Sequence, residues 1–501
     1  MQKKFFITTP IYYVNDTPHI GHAYTSLACD VLARYKRLQG HEVHFLTGTD
    51  EHGEKVQKAA DAAGQSPQTF TDQISENFRE LAHLMNYSVN DFIRTTEDRH
   101  KDTVAEVWRR LRANDQIYLG KYAGWYAVRD EAYYAESETT LGDDGKRRAA
   151  SGAEVQWIEE PSYFFRLSQW QDKLLRFYGD NPDFLAPEHR RNEIMSFVSG
   201  GLHDLSVSRT SFSWGIRVPD DPAHVVYVWL DALVNYLSAT GWPEEQNLWP
   251  ADIHMVGKDI LRFHSVYWPA FLMAADIEVP RRVFGHGWLL NRGRKMSKSE
   301  GNVLKPAELV ERYGLDPLRY YLLREVPFGQ DGYIGHETLV RRCNAELSNG
   351  VGNLAQRSLK MVSRDFGGEA PVLDADGRAA PVYLAGLALS EKVTAHIDAQ
   401  RYHLALDEVW SYIGAVNRYF DDRAPWEMSR RGDPALGGVL AVTLEAVRAA
   451  AVLLHSFMPA SMDALLAQLG ADVSGGIAGL TEPMLARGLP EPSPIFSRLE
   501  E

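Results

Sequence analysis

A chain of 501 residues leaves room for about three domains, each able to bury its own core. Its 45% hydrophobic and 24% charged residues describe an ordinary globular protein, and a net charge of −14 argues against a general DNA-coating role. Two cysteines, Cys29 and Cys343, both in helix-like segments, exclude a disulfide framework and a cysteine zinc site and point to a reducing cytoplasm.

Met1-Gln2-Lys3-Lys4 is basic, but the apolar run behind it is broken by Thr8, Thr9 and Pro10, so it does not read as a signal peptide. Phe5-Phe6-Ile7 predicts a strand, and Ala23 to Leu38 a helix with apolar Leu27, Val31, Leu32 and Tyr35. Between them stands Pro18-His19-Ile20-Gly21-His22. A strand end feeding a helix N-terminus is a ready anion site, because free N–H groups and the helix dipole face the ligand. His19 and His22 add movable donors there, and Gly21 lets a flat ring approach the backbone. Val43 to Thr47 predicts a second strand, followed by helices over Glu54–Ala63 and Thr69–Met85. This βαβ rhythm implies a parallel sheet with ligands at the carboxyl ends of its strands, where Gly48-Thr49-Asp50-Glu51-His52-Gly53 sits.

From about Gln116 to Asp221 short aromatic-rich runs alternate with turns such as Gly142-Asp143-Asp144-Gly145, which predicts a small β-rich insertion. Val225 to Trp229 resumes strand character, and His254 to Ile260 lies at another strand end. Trp229, Ala232, Leu233 and Tyr236 share one helical face by spacing, a stripe that fits a core as well as a pocket. Lys295-Met296-Ser297-Lys298-Ser299 lies between Gly293 and Gly301, so two lysines ride a loop that can bend. Such lysines act as point charges on a polyphosphate. After Gly314-Leu315-Asp316-Pro317 the pattern is helical almost to the end, with Gly367 to Pro381 as a loop between helices. Leu440 to Leu469 is interrupted by Glu445, Arg448, His455 and Asp463, so no membrane span is expected. Val340 to Arg364 carries Arg341, Arg342, Arg357, Lys360 and Arg364 against Glu346, which reads as a local RNA patch or as a solvated helix face.

The pairing of Pro18-His19-Ile20-Gly21-His22 with Lys295-Met296-Ser297-Lys298-Ser299 resembles the HIGH and KMSKS motifs of class I aminoacyl-tRNA synthetases. The resemblance narrows to the methionyl-tRNA synthetases over nearly the whole chain. Thr9 to Tyr13, Gly48 to Gly53, Ser162 to Ser168, Tyr227 to Ala232 and Gly257 to His264 carry it in the family's order. It implies an α/β fold: a Rossmann-like parallel-sheet catalytic domain (residues 1–115 and 222–290) split by a small connective insertion (116–221). A lysine-loop and stem-contact region (291–339) and an all-α helix-bundle anticodon-binding domain (340–501) would follow.

By the same resemblance His19, Gly21, His22, Lys295 and Lys298 would bind ATP, the histidines and lysines being catalytic. Asp50 would hold the α-ammonium of methionine, and Ile11, Tyr13, Trp229, Ala232, Leu233, Tyr236, Ile260, Phe263 and His264 would line its side-chain pocket. A thioether packs well against aromatic rings, and a donor to its sulfur from Tyr236 or His264 would help reject leucine and isoleucine. Asn353, Arg357 and Trp426 would read the anticodon of tRNA(Met). Many relatives carry zinc-binding Cys-x-x-Cys pairs in the insertion, but here those positions fall on Ala127, Asp130, Arg148 and Ser151, so no zinc is expected. Magnesium is expected as the counter-ion of ATP. The expected protein is a cytoplasmic monomer with no DNA or membrane partner, and the Pro-rich tail ending at Glu501 suggests no appended domain. Another class I synthetase, a non-catalytic RNA-binding paralogue and a nucleotidyltransferase without tRNA function stay open as alternatives.

Overall fold

The computed structural model describes residues 3–14, 17–130, 132–245, 247–291, 294–296, 302–483 and 487–500. They form two compact units: Lys4–Pro18 with His44–His286, and Met1–Lys3 with His19–Val43 and Gly287–Glu501.

The first unit is built on a seven-stranded sheet. Its strand order is Leu185–Ala186, Val283–His286, Ile253–Gly257, Lys4–Thr8, Glu42–Asp50, Tyr12–Tyr13, with Asp91–Arg94 also paired to Glu42–Asp50. Its strands pair in parallel, with Ile7 opposite Ile253, Leu185 opposite Val283, His254 opposite Val283, Tyr13 opposite Asp50 and Leu46 opposite Asp91. Strand Glu42–Asp50 runs on past the predicted Thr47 and is buried from Phe45 to Asp50, as expected where helices cover both sheet faces. The next two helices, Glu54–Ala62 and Pro67–Leu84, agree with the predicted pair to within two residues.

Val225 to Trp229 is not one strand. The strand ends at Val226, Tyr227 takes an extended conformation, and a helix runs over Val228–Leu233. A β-branched and aromatic run favours a strand locally, but a buried hydrogen-bond network at Asp231, described below, selects the helix. The stretch from Gln116 to Asp221 is also less uniform than predicted. Strands Ile117–Ala127, Ala132–Tyr134, Gln156–Phe165 and Leu205–Ser206 form an antiparallel sheet. Helices Gln171–Asp180 and Glu188–Ser199 intervene, and Leu185–Ala186 returns to the edge of the central parallel sheet.

The second unit is mainly helical. Its first helix, Ile20–Leu38, is buried along most of its length, including Cys29 and Asp30. Arg319 donates to Asp30 Oδ2 at 2.7 Å and to the carbonyls of Phe457 and Ser456, and both members of this ion pair are fully buried. Tyr402 donates to the carbonyl of Ala28 at 2.9 Å. Helix Leu436–Leu454 is long and apolar enough by composition to cross a membrane, but 89% of its apolar window is buried inside the fold. Its charges are paired, Arg448 donating to Glu445 at 2.9 Å and to the Glu482 carbonyl at 2.7 Å. The predicted loop from Gly367 to Pro381 contains a short helix, Ala375–Arg378, and Pro381 already opens the next helix, Pro381–Asp398.

Candidate active site and RNA-reading face

In the first unit the proposed pocket residues gather at the carboxyl ends of the parallel strands. Asp50 is the last residue of its strand, buried, and lies opposite Tyr13 in register. Lys55 Nζ lies 5.2 Å from the Tyr13 ring. Gly53 then turns the chain at φ 113°, a conformation that side-chain-bearing residues rarely adopt, and starts the next helix. Helix Val228–Leu233 supplies Trp229, Ala232 and Leu233, and the following turn Asn235–Ser238 supplies Tyr236. The segment after strand Ile253–Gly257 supplies Ile260 and then a wide π-helical turn, Phe263–Tyr267, carrying Phe263 and His264. Trp229 and Phe263 stack face to face, with centroids 3.5 Å apart and planes at 7°. Ile11, Ile260 and Phe263 pack against the same core as Leu233 and Tyr236.

The tautomer of His264 follows from its partners. Its Nδ1 faces the Ile260 carbonyl at 3.0 Å and must donate, so Nε2, 2.7 Å from the Tyr236 hydroxyl, accepts in the neutral ring. Burial lowers the His264 pKa to about 4, which keeps the ring neutral at pH 7. In this arrangement Tyr236 donates to His264, and His264 donates to a backbone carbonyl. Behind them Tyr236 stacks on His254 at 4.1 Å. The His254 ring receives the Trp268 indole N–H on Nε2 at 3.3 Å, leaving Nδ1 to donate to Thr8 at 2.7 Å.

Beneath this face lies a polar network that the sequence reading passed over. Asp231 is fully buried, with Oδ2 2.7 Å from His52 Nδ1 and Oδ1 2.7 Å from His100 Nε2. His100 Nδ1 is 3.0 Å from the hydroxyl of Ser238. Glu51, also fully buried, accepts two bonds from Arg94 and others from Thr49 and Thr96. An acid lodged between Leu230 and Ala232 in an apolar run was the available signal, since a buried carboxylate needs partners.

In the second unit His19 caps helix Ile20–Leu38. Its Nδ1 accepts from the Gly21 N–H at 3.0 Å, while His22 Nδ1 accepts from the His19 N–H at 3.1 Å. This is a capping box made by two imidazoles, stacked with centroids 3.9 Å apart. Burial, then the neighbouring His19, lowers the His22 pKa well below its usual value. With Nδ1 accepting in both neutral rings, Nε2 carries the proton and acts as donor. The donors are thus not movable but oriented by the backbone. The expected role of Gly21 changes as well, because a Cβ there would meet His19 Cε1 at 2.8 Å. The flat ring that needs this glycine is His19 itself. Lys295 ends the short strand Arg294–Lys295, paired to Leu289–Asn291, whereas Lys298 lies outside the described residues.

The same unit brings Arg357 and Trp426 together. The Arg357 guanidinium lies 5.5 Å from the Trp426 ring and 4.9 Å from Phe420, and it donates to Asp421 at 2.9 Å. Trp426 is 36% exposed, and Asn353 is exposed at the start of helix Asn353–Phe366. The net positive segment does not stand as a free basic stripe. Arg342 pairs with Glu325 and Glu346, Arg357 with Asp421, and Arg364 with Asp365, leaving Arg341 and Lys360 exposed on the surface.

Comparison with known proteins adds the family. The family model "tRNA synthetases class I (M)" matches residues 5–359. The chain is 50% identical to the methionine–tRNA ligase of Mesorhizobium japonicum over all of this chain and 98% of that one. It is 51% identical to that of Brucella melitensis, over 100% and 99% of the two chains. The structure of Mycobacterium tuberculosis methionyl-tRNA synthetase in complex with methionyl-adenylate superposes with a TM-score of 0.96 at 49% identity, covering 99% of this chain and 100% of that one. The chain belongs to the methionyl-tRNA synthetase family.

In the insertion, at two of the positions where the sequence lacks the expected zinc ligands, Asp130 accepts from the Ser151 hydroxyl. Asp130 also accepts from the Tyr134 hydroxyl at 2.9 Å and from Arg129 at 3.0 Å, and Arg129 reaches the Ser151 carbonyl at 2.7 Å. Ala127, Ala149, Ala153 and Val155 form a small core beside this clasp, flanked by Trp125 and Tyr134.

Proposed function

We propose that this chain is a methionine–tRNA ligase. The carboxylate of L-methionine attacks the α-phosphorus of ATP, forming an O–P bond as the bond to pyrophosphate breaks. A ribose hydroxyl of the terminal tRNA nucleotide then attacks the methionyl carbonyl and AMP leaves. The substrate brings its own nucleophile, so the work of the protein is alignment and neutralisation of developing phosphate charge. His19 and His22 donate to the phosphates through Nε2–H. Lys295 and Lys298 act on the pyrophosphate charge. ATP enters as its magnesium complex, part of the substrate. Asp50 takes the α-ammonium of methionine, and the Trp229–Phe263 stack, with Ile11, Tyr13, Ala232, Leu233, Tyr236, Ile260 and His264, takes the thioether chain. With Tyr236 and His264 committed to each other, selection for methionine rests on shape and on polarizable ring contact.

The observation that carries this reading is the neutral, hydrogen-bonded Tyr236–His264 pair beside the Trp229–Phe263 stack, at the sheet end where Asp50 sits. Pyrophosphate exchange across the twenty amino acids tests it. Exchange driven by methionine is expected, and exchange driven instead by leucine, valine, isoleucine or cysteine, or by none, overturns it.

The finer parts belong to the same proposal. Asn353, Arg357 and Trp426 read the anticodon of tRNA(Met), and the four-part division at 115, 221, 290 and 339 separates the working regions. The protein acts as a cytoplasmic monomer without DNA or membrane partners. The insertion folds without zinc, supported by the Asp130–Ser151 clasp at the positions that would have to bind it. Elemental analysis of the purified protein should find no stoichiometric zinc. One tightly held zinc per chain, with activity lost on chelation, contradicts it.

A further inference from the structure

We infer that Asp231 is a positioning residue for methionine recognition, tying the strand-end loop that follows Asp50 to the helix that carries Trp229, Ala232 and Leu233. The inference rests on the reading of this region as a methionine site.

The proposed ligand is gripped at two ends by two different elements. Its ammonium meets Asp50 at the end of strand Glu42–Asp50, while its side chain meets residues of Val228–Leu233, Asn235–Ser238 and the turn Phe263–Tyr267. The spacing between the ends must match the length of one methionine, and loops and short helices do not hold such a spacing unaided. Asp231 supplies a strut. One carboxylate oxygen takes the N–H of His52, two residues beyond Asp50, and the other takes the N–H of His100 from helix Asp98–Ala113. His100 in turn meets Ser238, at the end of the turn that bears Tyr236. The loop side is equally constrained. The Glu51 N–H donates to Thr95 Oγ1 at 2.9 Å, the Trp214 indole N–H donates to the Glu51 carbonyl at 2.6 Å, and the His52 ring lies edge-on to Trp214 at 5.4 Å.

Cost also argues for a role. A fully buried carboxylate forfeits its hydration, and a packed apolar side chain of similar size would often stabilise a fold at least as well. Burial pushes the Asp231 carboxyl up, but His52 and His100 outweigh it and hold the group below the usual carboxylate value. What the ionised pair of bonds provides, and a leucine would not, is direction between two elements.

Kinetics of methionine-dependent pyrophosphate exchange test the strut. An asparagine at 231 keeps one acceptor oxygen but turns an NH2 toward the second imidazole N–H, so Asp231→Asn can keep one link and loses the other. It is expected to raise the methionine KM by roughly tenfold or more while the ATP KM stays within about twofold. His52→Asn and His52→Leu are of similar size, but the asparagine amide can replace the Nδ1–H donor and leucine cannot. His52→Leu should raise the methionine KM by roughly tenfold and His52→Asn should restore it to within about threefold of wild type, with circular dichroism unchanged in both. If Asp231→Asn does not fold, the His52 pair decides. The proposal is overturned if His52→Leu and His52→Asn behave alike, if the ATP and methionine KM values rise together, or if folded Asp231→Asn keeps its methionine KM. Wild-type protein without methionine-dependent exchange refutes the site reading instead, so the two failures are distinguishable.

Discussion

The proposed methionine slot and the Trp426 face use the same side-chain types at opposite degrees of closure. In the slot, Trp229 and Phe263 lie in full ring contact at 3.5 Å, and the polar groups behind them are buried, neutral and mutually bonded. On the Trp426 face a guanidinium stands 5.5 Å from a ring that is 36% exposed, held by an exposed acid, Asp421. A small ligand can be measured only by a cavity whose shape is fixed beforehand, because a difference of one methylene is worth only about 1–3 kcal/mol. A splayed base must instead find an open ring to stack on, and each stack is worth about 1–3 kcal/mol by itself. Closure gives discrimination, and openness gives access.

The largest expected effect separates both kinds of recognition from the chemical step. Lys298→Ala should lower the adenylation kcat by on the order of 100- to 1000-fold, the usual cost of losing one preorganised charge stabiliser. Methionine Kd should scarcely change, and a Kd that rises as far as kcat falls would show the lysine loop to be part of the ground-state pocket. Next comes the open face. Trp426→Ala should reduce kcat/KM for tRNA charging by roughly tenfold or more and leave pyrophosphate exchange near wild type. Arg357→Ala should follow the same split more weakly, because its charge is already shared with Asp421. Equal losses in both assays, in folded protein, remove these residues from anticodon reading. The smallest effect probes the closed slot. Tyr236→Phe deletes the donor to His264 Nε2 and should raise the methionine KM only several-fold, since a neutral buried hydrogen bond is worth about 1 kcal/mol. The preference for methionine over norleucine, which has a methylene in place of sulfur, should stay within about threefold of wild type. A collapse of that preference would mean that the Tyr236 hydroxyl turns to the sulfur when methionine binds.

The same contrast governs what the sequence made legible. The parallel sheet was readable because its strands are continuous apolar runs between amphipathic helices, and the imidazole motif because a strand-to-helix turn is local. The strand that seemed to continue to Trp229 was misread for the opposite reason: its helical fate is set by His52 and His100, 179 and 131 residues away from Asp231. The charge around Arg357 was overestimated in the same way. Counting residues 340–364 alone leaves out Glu325, Asp365 and Asp421, which close three of its ion pairs. Donor roles at Tyr236, His264, His19 and His22 depend on tautomers, and tautomers depend on carbonyls and N–H groups that a sequence does not place.

The buried Asp30–Arg319 pair bears on modularity. Helix Ile20–Leu38, which presents His19 and His22, is anchored midway by an arginine that also holds the carbonyls of Ser456 and Phe457. Tyr402, from the same helical region, closes on Ala28. A chain cut near residue 339 to isolate a minimal catalyst would strip Arg319 of both carbonyl partners and bare the flank of the helix that bears the two histidines. Swapping the helical region between relatives would meet the same obstacle unless the donor supplied matching carbonyls. Removing Asp30 would leave the Arg319 charge in the interior without its carboxylate, at a cost of about 3–5 kcal/mol, whereas Asp30 without Arg319 would keep its pair with Arg34 at 2.8 Å. If Asn353, Arg357 and Trp426 read RNA as proposed, that reading is not an accessory that can be unplugged: helices of the same unit are the bed on which the helix bearing His19 and His22 lies.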